Sequence, residues 1–264
     1  MNEAAGVPEH PGFGVMLAGL LDHRDLRVRE LADRAGSMTN EVRSVLAGEA
    51  PGAGLLRRIA PVVGFHAVDL FILAGLAVPD DLAPLDAAAE RWAPYIVKDA
   101  VHLPASERRE LLELVRSLPQ EERPSVFAAR RLASHAGPGG RVIRMLQYRN
   151  LGWLGMAQLL AVVTPTYLSA PTYGVIGSGG AELTPRLVTD FAAVLGIDAR
   201  ELAVLTGVDL SEVPPPAAPE AVDAAALLWE ARRLSAAQAQ HIAELARSMR
   251  GDSANGYHLN LSGS

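Results

Sequence analysis

The chain has 264 residues, 49% hydrophobic and 20% charged, enough apolar material for one large core or two to three small ones, and most of it cannot be disordered. Its formal charge is −6, distributed as −3 over residues 1–80, −1 over 81–140, 0 over 141–210 and −2 over 211–264, which disfavours nonspecific coating of phosphate but leaves room for a local cationic patch. With no cysteine and only 5% aromatic residues, disulfide frameworks, thiol nucleophiles, thiolate zinc sites and base-stacking platforms for single strands are set aside.

The first residues carry acids and prolines where a signal peptide has a basic and then an apolar stretch. No apolar run approaches the length of a spanning helix, so a cytoplasmic protein with no membrane partner is expected. Gly and Pro clusters at 1–12, 78–84, 137–140 and 214–219 punctuate the sequence. They suggest a tail over 1–12, a first domain over 13–80, a linker region over 81–140, a second domain over 141–210, a C-terminal helical segment over 211–250 and a flexible tail over 251–264.

Apolar residues recur at three- and four-residue spacing almost throughout, and strand-like alternation is nearly absent, so the fold is predicted to be all-α. In chain order, 28–35 reads as a helix ended by Gly36, and 39–46 reads as a second helix closed by Gly48. Ala32 lets the two cross closely, and Val42 and Val45 anchor the second so that its other face projects outward. In the linker, helices are predicted over 85–101 with a break near Pro94, over 106–118 capped by Ser106, and over 124–135. Glu121-Glu122 beside Arg123 reads as a solvated helix start, and Trp92 and Tyr95 as core. Further on, Thr184 caps a helix with Pro185 in its first turn, and Gly196 and Gly207 mark helix ends, as Gly64 and Gly75 do earlier. Residues 221–250 read as one or two helices split near Leu234-Ser235, covering the second domain or forming a dimer seam.

An internal repeat fixes the architecture. Phe191-Ala192-Ala193-Val194-Leu195-Gly196-Ile197, then Ala199, Leu202, Leu205 and Gly207, match Ile59-Ala60-Pro61-Val62-Val63-Gly64-Phe65, then Ala67, Leu70, Leu73 and Gly75, at an offset of 132. Upstream, Tyr148-Arg149-Asn150-Leu151 and Ala157 match His23-Arg24-Asp25-Leu26 and Ala32 at an offset of 125. The second copy therefore carries a seven-residue insertion, expected within 162–180.

Leu31-Ala32, the run Gly36-Ser37-Met38-Thr39-Asn40-Glu41-Val42-Arg43-Ser44-Val45-Leu46-Ala47-Gly48, then Leu56, Ile59-Ala60 and Val63-Gly64 resemble the lambda-repressor-like helix-turn-helix domain of the xenobiotic-response-element type. The resemblance covers roughly 15–76 and, more weakly, 141–208. As a whole the chain resembles the regulator-like proteins of actinomycetes, with a second, degenerate copy. It implies two helical bundles joined by a helical linker and followed by a C-terminal helix, with double-stranded DNA as partner and use as a homodimer on two half-sites. By that resemblance the third helix of the first copy reads the major groove. Arg43 would bond guanine and Asn40 adenine, with Thr39 and Ser44 on phosphate or base edges. Arg24, Arg27 and Arg29 are candidates for positioning phosphate. Members of the family often have Ser or Thr where Met38 stands and Gln where Thr39 stands, and Glu41 adds a negative charge near phosphate.

In the second copy the corresponding segment, Ser169 to Gly179, has no charge and contains Pro171 and Gly174, so it would bind phosphate poorly. The hydroxyls of Thr164, Thr166, Tyr167, Ser169, Thr172 and Tyr173 remain as donors. Val175-Ile176-Gly177-Ser178-Gly179-Gly180 lacks the strand-and-helix context of a dinucleotide loop. The histidines are not at metal-ligand spacing, and no serine elbow or carboxylate pair stands out, so no catalytic residue, metal or cofactor is expected and the chain is not read as an enzyme. The alternative is a protein-interaction or ligand-sensing helical protein without DNA affinity, and a small-molecule or protein effector is left open in either case.

Overall fold

The computed structural model describes residues 11–127, 137–210, 212 and 214–261, and every regular element among these is helical. None of these helices is long and apolar enough to cross a membrane. The first segment contains α1 (Phe13–His23), α2 (Val28–Arg34), α3 (Thr39–Leu46), α4 (Ala53–Ile59) and α5 (Ala67–Leu73). After two 3-10 turns, Asp80–Leu82 and Ala87–Arg91, come α6 (Ala93–Ala100) and α7 (Ala105–Ser117). A second set of five follows, α8 (Pro138–Gln147), α9 (Trp153–Val163), α10 (Ala170–Gly177), α11 (Pro185–Leu195) and α12 (Ala199–Thr206). The described chain closes with α13 (Pro219–Ala231) and α14 (Ala236–Leu261).

The repeat seen in the sequence is present in the backbone. Helix starts correspond at offsets of 125 for α1/α8 and α2/α9, 131 for α3/α10, and 132 for α4/α11 and α5/α12. Asp25 and Asn150, also 125 apart, are the two non-glycine residues with positive φ among those described, at 49° and 61°. Asp and Asn tolerate this conformation best after glycine, because their short polar side chains bond locally. Six of the seven inserted residues lie in the longer α9 and its connection to α10, where a four-residue turn in the first segment becomes six residues from Thr164 to Ser169.

The first and third helices of each copy approach closely at a glycine. A Cβ on Gly14 of α1 would lie 2.3 Å from the Val45 carbonyl oxygen at the end of α3, and one on Gly139 of α8 would lie 2.4 Å from the Ile176 carbonyl oxygen at the end of α10. These are equivalent positions in the two copies, and only glycine lets the first helix rest on the backbone of the third. This corrects the reading of 137–140 as a breaker: Pro138, Gly139 and Gly140 form the first turn of α8, with Pro138 where its missing N–H costs nothing.

The two five-helix segments share one contiguous core. α1 packs against α12, and α8 packs against α5, so the first helix of each copy lies on the fifth helix of the other. The polar contacts obey the same exchange. Arg24 Nε lies 2.6 Å from Glu201 Oε1, and Arg149 Nη1 lies 2.6 Å from Asp69 Oδ1 with Nη2 donating to Oδ2 at 2.9 Å. Arg24 and Arg149 are equivalent at 125, and Asp69 and Glu201 at 132. Met16 and Arg141, also equivalent, touch each other, with Arg141 Nη1 3.3 Å from Met16 Sδ. A contact between a position and its own equivalent marks a pseudo-two-fold axis.

The linker helices and the C-terminal pair close one side of this unit. α13 packs on α6, α7 and α11, and α14 packs on α6, so Leu227, Leu228 and Ile242 are buried within the chain. Trp229 stacks on His66 with ring centroids 3.3 Å apart, and the guanidinium groups of Arg232 and Arg149 lie 3.6 and 4.8 Å from the same ring. Several local expectations change. Pro94 sits in the first turn of α6 and starts that helix. Ser106 lies inside α7, whose N-cap is Pro104. Residues 124–127 form no helix, and the rest of the helix expected over 124–135 falls outside the described residues. Arg123 is fixed by donating to the carbonyls of Asp80, Ala83 and Pro84. α14 continues past Arg250 through residues expected to form a flexible tail.

Candidate nucleic-acid interface

α3 is amphipathic over only two turns. Val42 and Val45 are buried, Thr39 and Ser44 are half-buried, and Asn40 and Arg43 are exposed. The helix thus presents Asn40 and Arg43 outward from a two-valine anchor. Arg43 Nη1 donates to Asn40 Oδ1 at 3.3 Å, and among the described residues the Asn40 amide N–H groups and the other guanidinium N–H groups have no protein partner. Met38, the N-cap residue, is 74% exposed.

Glu41 does not stand as a free negative charge. Arg58, on α4, donates to both of its carboxylate oxygens at 3.1 and 3.3 Å and to Ser37 Oγ at 3.0 Å. This clamp holds the turn before α3 and its first turn to α4 and neutralises the one acid on the helix. Sequence reasoning missed Arg58, which lies outside the helix-turn-helix run. The acid–base spacing of 17 residues is not a local helical one.

The three arginines expected to position phosphate have different surroundings. Arg24 is engaged with Glu201, which is only 8% exposed, and stacks over Gly64. It serves the contact between the two copies. Arg29 is an exposed i,i+4 partner of Asp33 at 3.8 Å, a geometry worth little in water. Arg27 is exposed at the N-cap of α2 with no ion-pair partner among the described residues. Among the described residues, no carboxylate holds Arg27 or Arg43.

The corresponding face of the second copy is different in chemistry. α10 forms a helix despite its proline, because Pro171 falls in the first turn. Most of its hydroxyls are used internally: Thr164 donates to the Leu160 carbonyl, Thr166 bonds Asp190, and Ser169 and Thr172 bond each other at 2.8 Å, whereas the Tyr173 hydroxyl is buried with no hydrogen-bond partner among the described residues. Among its exposed side chains are Ser169 and Ser178 and the apolar or aromatic Leu154, Val175 and Tyr167, which are 64%, 45% and 80% exposed. Val175 to Gly177 closes α10 and follows no strand.

Tyr95 departs from its expected core position, being 41% exposed on an open groove of about 620 Å³ that it lines with Trp92, Leu154 and Arg247. Comparisons of the chain with protein-family models, with curated proteins and with solved structures found no match.

Proposed function

We propose that the protein is a sequence-specific, DNA-binding transcriptional regulator of the lambda-repressor-like helix-turn-helix kind, reading the major groove through α3. The observation that carries this reading is the outward pair Asn40 and Arg43 on a helix whose other face is anchored by Val42 and Val45 and whose acid is neutralised by Arg58. A guanidinium matches the two acceptors of guanine, and a carboxamide matches the donor and acceptor of adenine. Thr39 and Ser44 flank the pair, Met38 offers an apolar contact for a thymine methyl, and Arg27 supplies a phosphate contact at the neighbouring helix.

A salt-dependent gel shift with genomic fragments, followed by footprinting of the bound fragment, tests the reading. Arg43→Ala should lose about 1–3 kcal/mol at one base position. Arg27→Ala should weaken binding to all sequences alike and flatten the salt slope by about one unit. No retarded band at low ionic strength would remove the DNA-binding reading. A protein-interaction or sensing role would then be left, and the exposed apolar or aromatic side chains of Leu154, Tyr167 and Val175 together with the net charge of −6 favour it.

A further inference from the structure

In an isologous dimer, the same patch on two subunits meets itself across a two-fold axis, so every contact occurs twice with the partners exchanged. That signature is present here inside one chain. α1 lies on α12 as α8 lies on α5; Arg24 meets Glu201 as Arg149 meets Asp69; and Met16 meets its own equivalent, Arg141. The faces of the first and fifth helices in both copies are consumed by this internal pairing. The homodimer implied by the resemblance would need a different surface.

The pseudo-axis relates two faces of unequal chemistry. At the offset of 131 that aligns α3 with α10, Thr39 corresponds to Ala170, Asn40 to Pro171, Arg43 to Gly174 and Ser44 to Val175. Each of these four hydrogen-bonding side chains of the first copy is replaced by one with no hydrogen-bonding group, while the apolar Met38 corresponds to Ser169. Two identical reading helices related by a two-fold axis select inverted repeats. Two helices related by a pseudo-two-fold axis, of which one has no polar side chain at these four positions, cannot select a second copy of the half-site.

We propose that a single chain is the unit that engages a duplex and that its target is a short, non-palindromic DNA sequence read at one half only; this rests on the DNA-binding reading of α3. Two measurements on the full-length chain test it. Sedimentation of the free protein over a wide concentration range should show a single species at the chain mass of 27.9 kDa. A species of twice that mass would overturn the single-chain unit. Selection from a random duplex library, followed by titration of the selected duplex well above its Kd, should give a motif without inverted symmetry and saturation at one chain per duplex. An inverted repeat, or two chains per duplex, would overturn the proposal. If no sequence is selected even at low ionic strength, the DNA-binding reading falls and the target with it, while the mass of the free protein still decides whether a single chain is the unit in solution.

Discussion

His66 is held where a proton is unwelcome. Burial is the main cause, and the nearby Arg149 adds repulsion, so its pKa is lowered from 6.5 to about 4 although Asp69 pulls the other way. Above pH 6.5 the imidazole is neutral in both folded and unfolded chains and contributes no pH dependence. Between 6.5 and 4 the unfolded chain takes up a proton that the native chain refuses, so stability falls as pH drops through that window, by on the order of 3 kcal/mol in total. Phenylalanine can keep the stack on Trp229 and cannot take up a proton. Chemical denaturation at pH 7 and pH 4.5 should show the native protein losing more stability than His66→Phe over that interval. Equal losses would mean that His66 titrates normally.

At the scale of the element, two devices aim α3. Gly14 allows α1 to rest on the Val45 carbonyl, and Gly14→Ala would force a backbone shift that no side-chain rotation can relieve. A loss of about 1–3 kcal/mol is expected from such overpacking. The same substitution at Gly12, where added bulk meets nothing within 4 Å, provides the control in thermal unfolding. Arg58 fixes the other end. On the DNA-binding reading, Arg58→Ala should leave Glu41 unpaired beside the duplex and weaken DNA affinity by roughly fivefold, consistent with about 1 kcal/mol for an exposed like-charge encounter. The double variant Arg58→Ala, Glu41→Gln should recover most of that loss in a gel shift, which a merely structural role for Arg58 would not allow. The helices themselves were legible: α3 spans Thr39–Leu46 as the spacing of Val42, Val45 and Gly48 indicates, and Thr184 caps α11 by accepting from Leu187 N–H at 3.3 Å. Such features are encoded within a few residues. The close approach at Gly14 was not legible, because its partner carbonyl belongs to a helix thirty-one positions away and leaves no mark in local spacing. Nor was the role of Arg24, whose carboxylate partner lies in the other copy.

Across the whole molecule the two equivalent ion pairs are unequal in depth. The side chains of Arg149 and Asp69 are 2% and 1% exposed, whereas Arg24 is 32% exposed over a Glu201 at 8%. Breaking a buried pair by removing one partner leaves an uncompensated charge, so Arg149→Ala should cost about 3–5 kcal/mol. Arg24→Ala should cost about 1 kcal/mol, since water reaches the arginine. Urea denaturation monitored by far-ultraviolet circular dichroism would separate the two, and near-equal values would show that burial does not set their weight. The reciprocal docking of the copies also bears on dosage. Partners that meet by collision separate when a cell holds few molecules, and occupancy of their site then grows with the square of abundance. Halves that share one peptide backbone are exposed to each other at a fixed, high effective concentration. Dilution cannot part them, so on the DNA-binding reading occupancy of the chain's site would rise in simple proportion to the number of copies made.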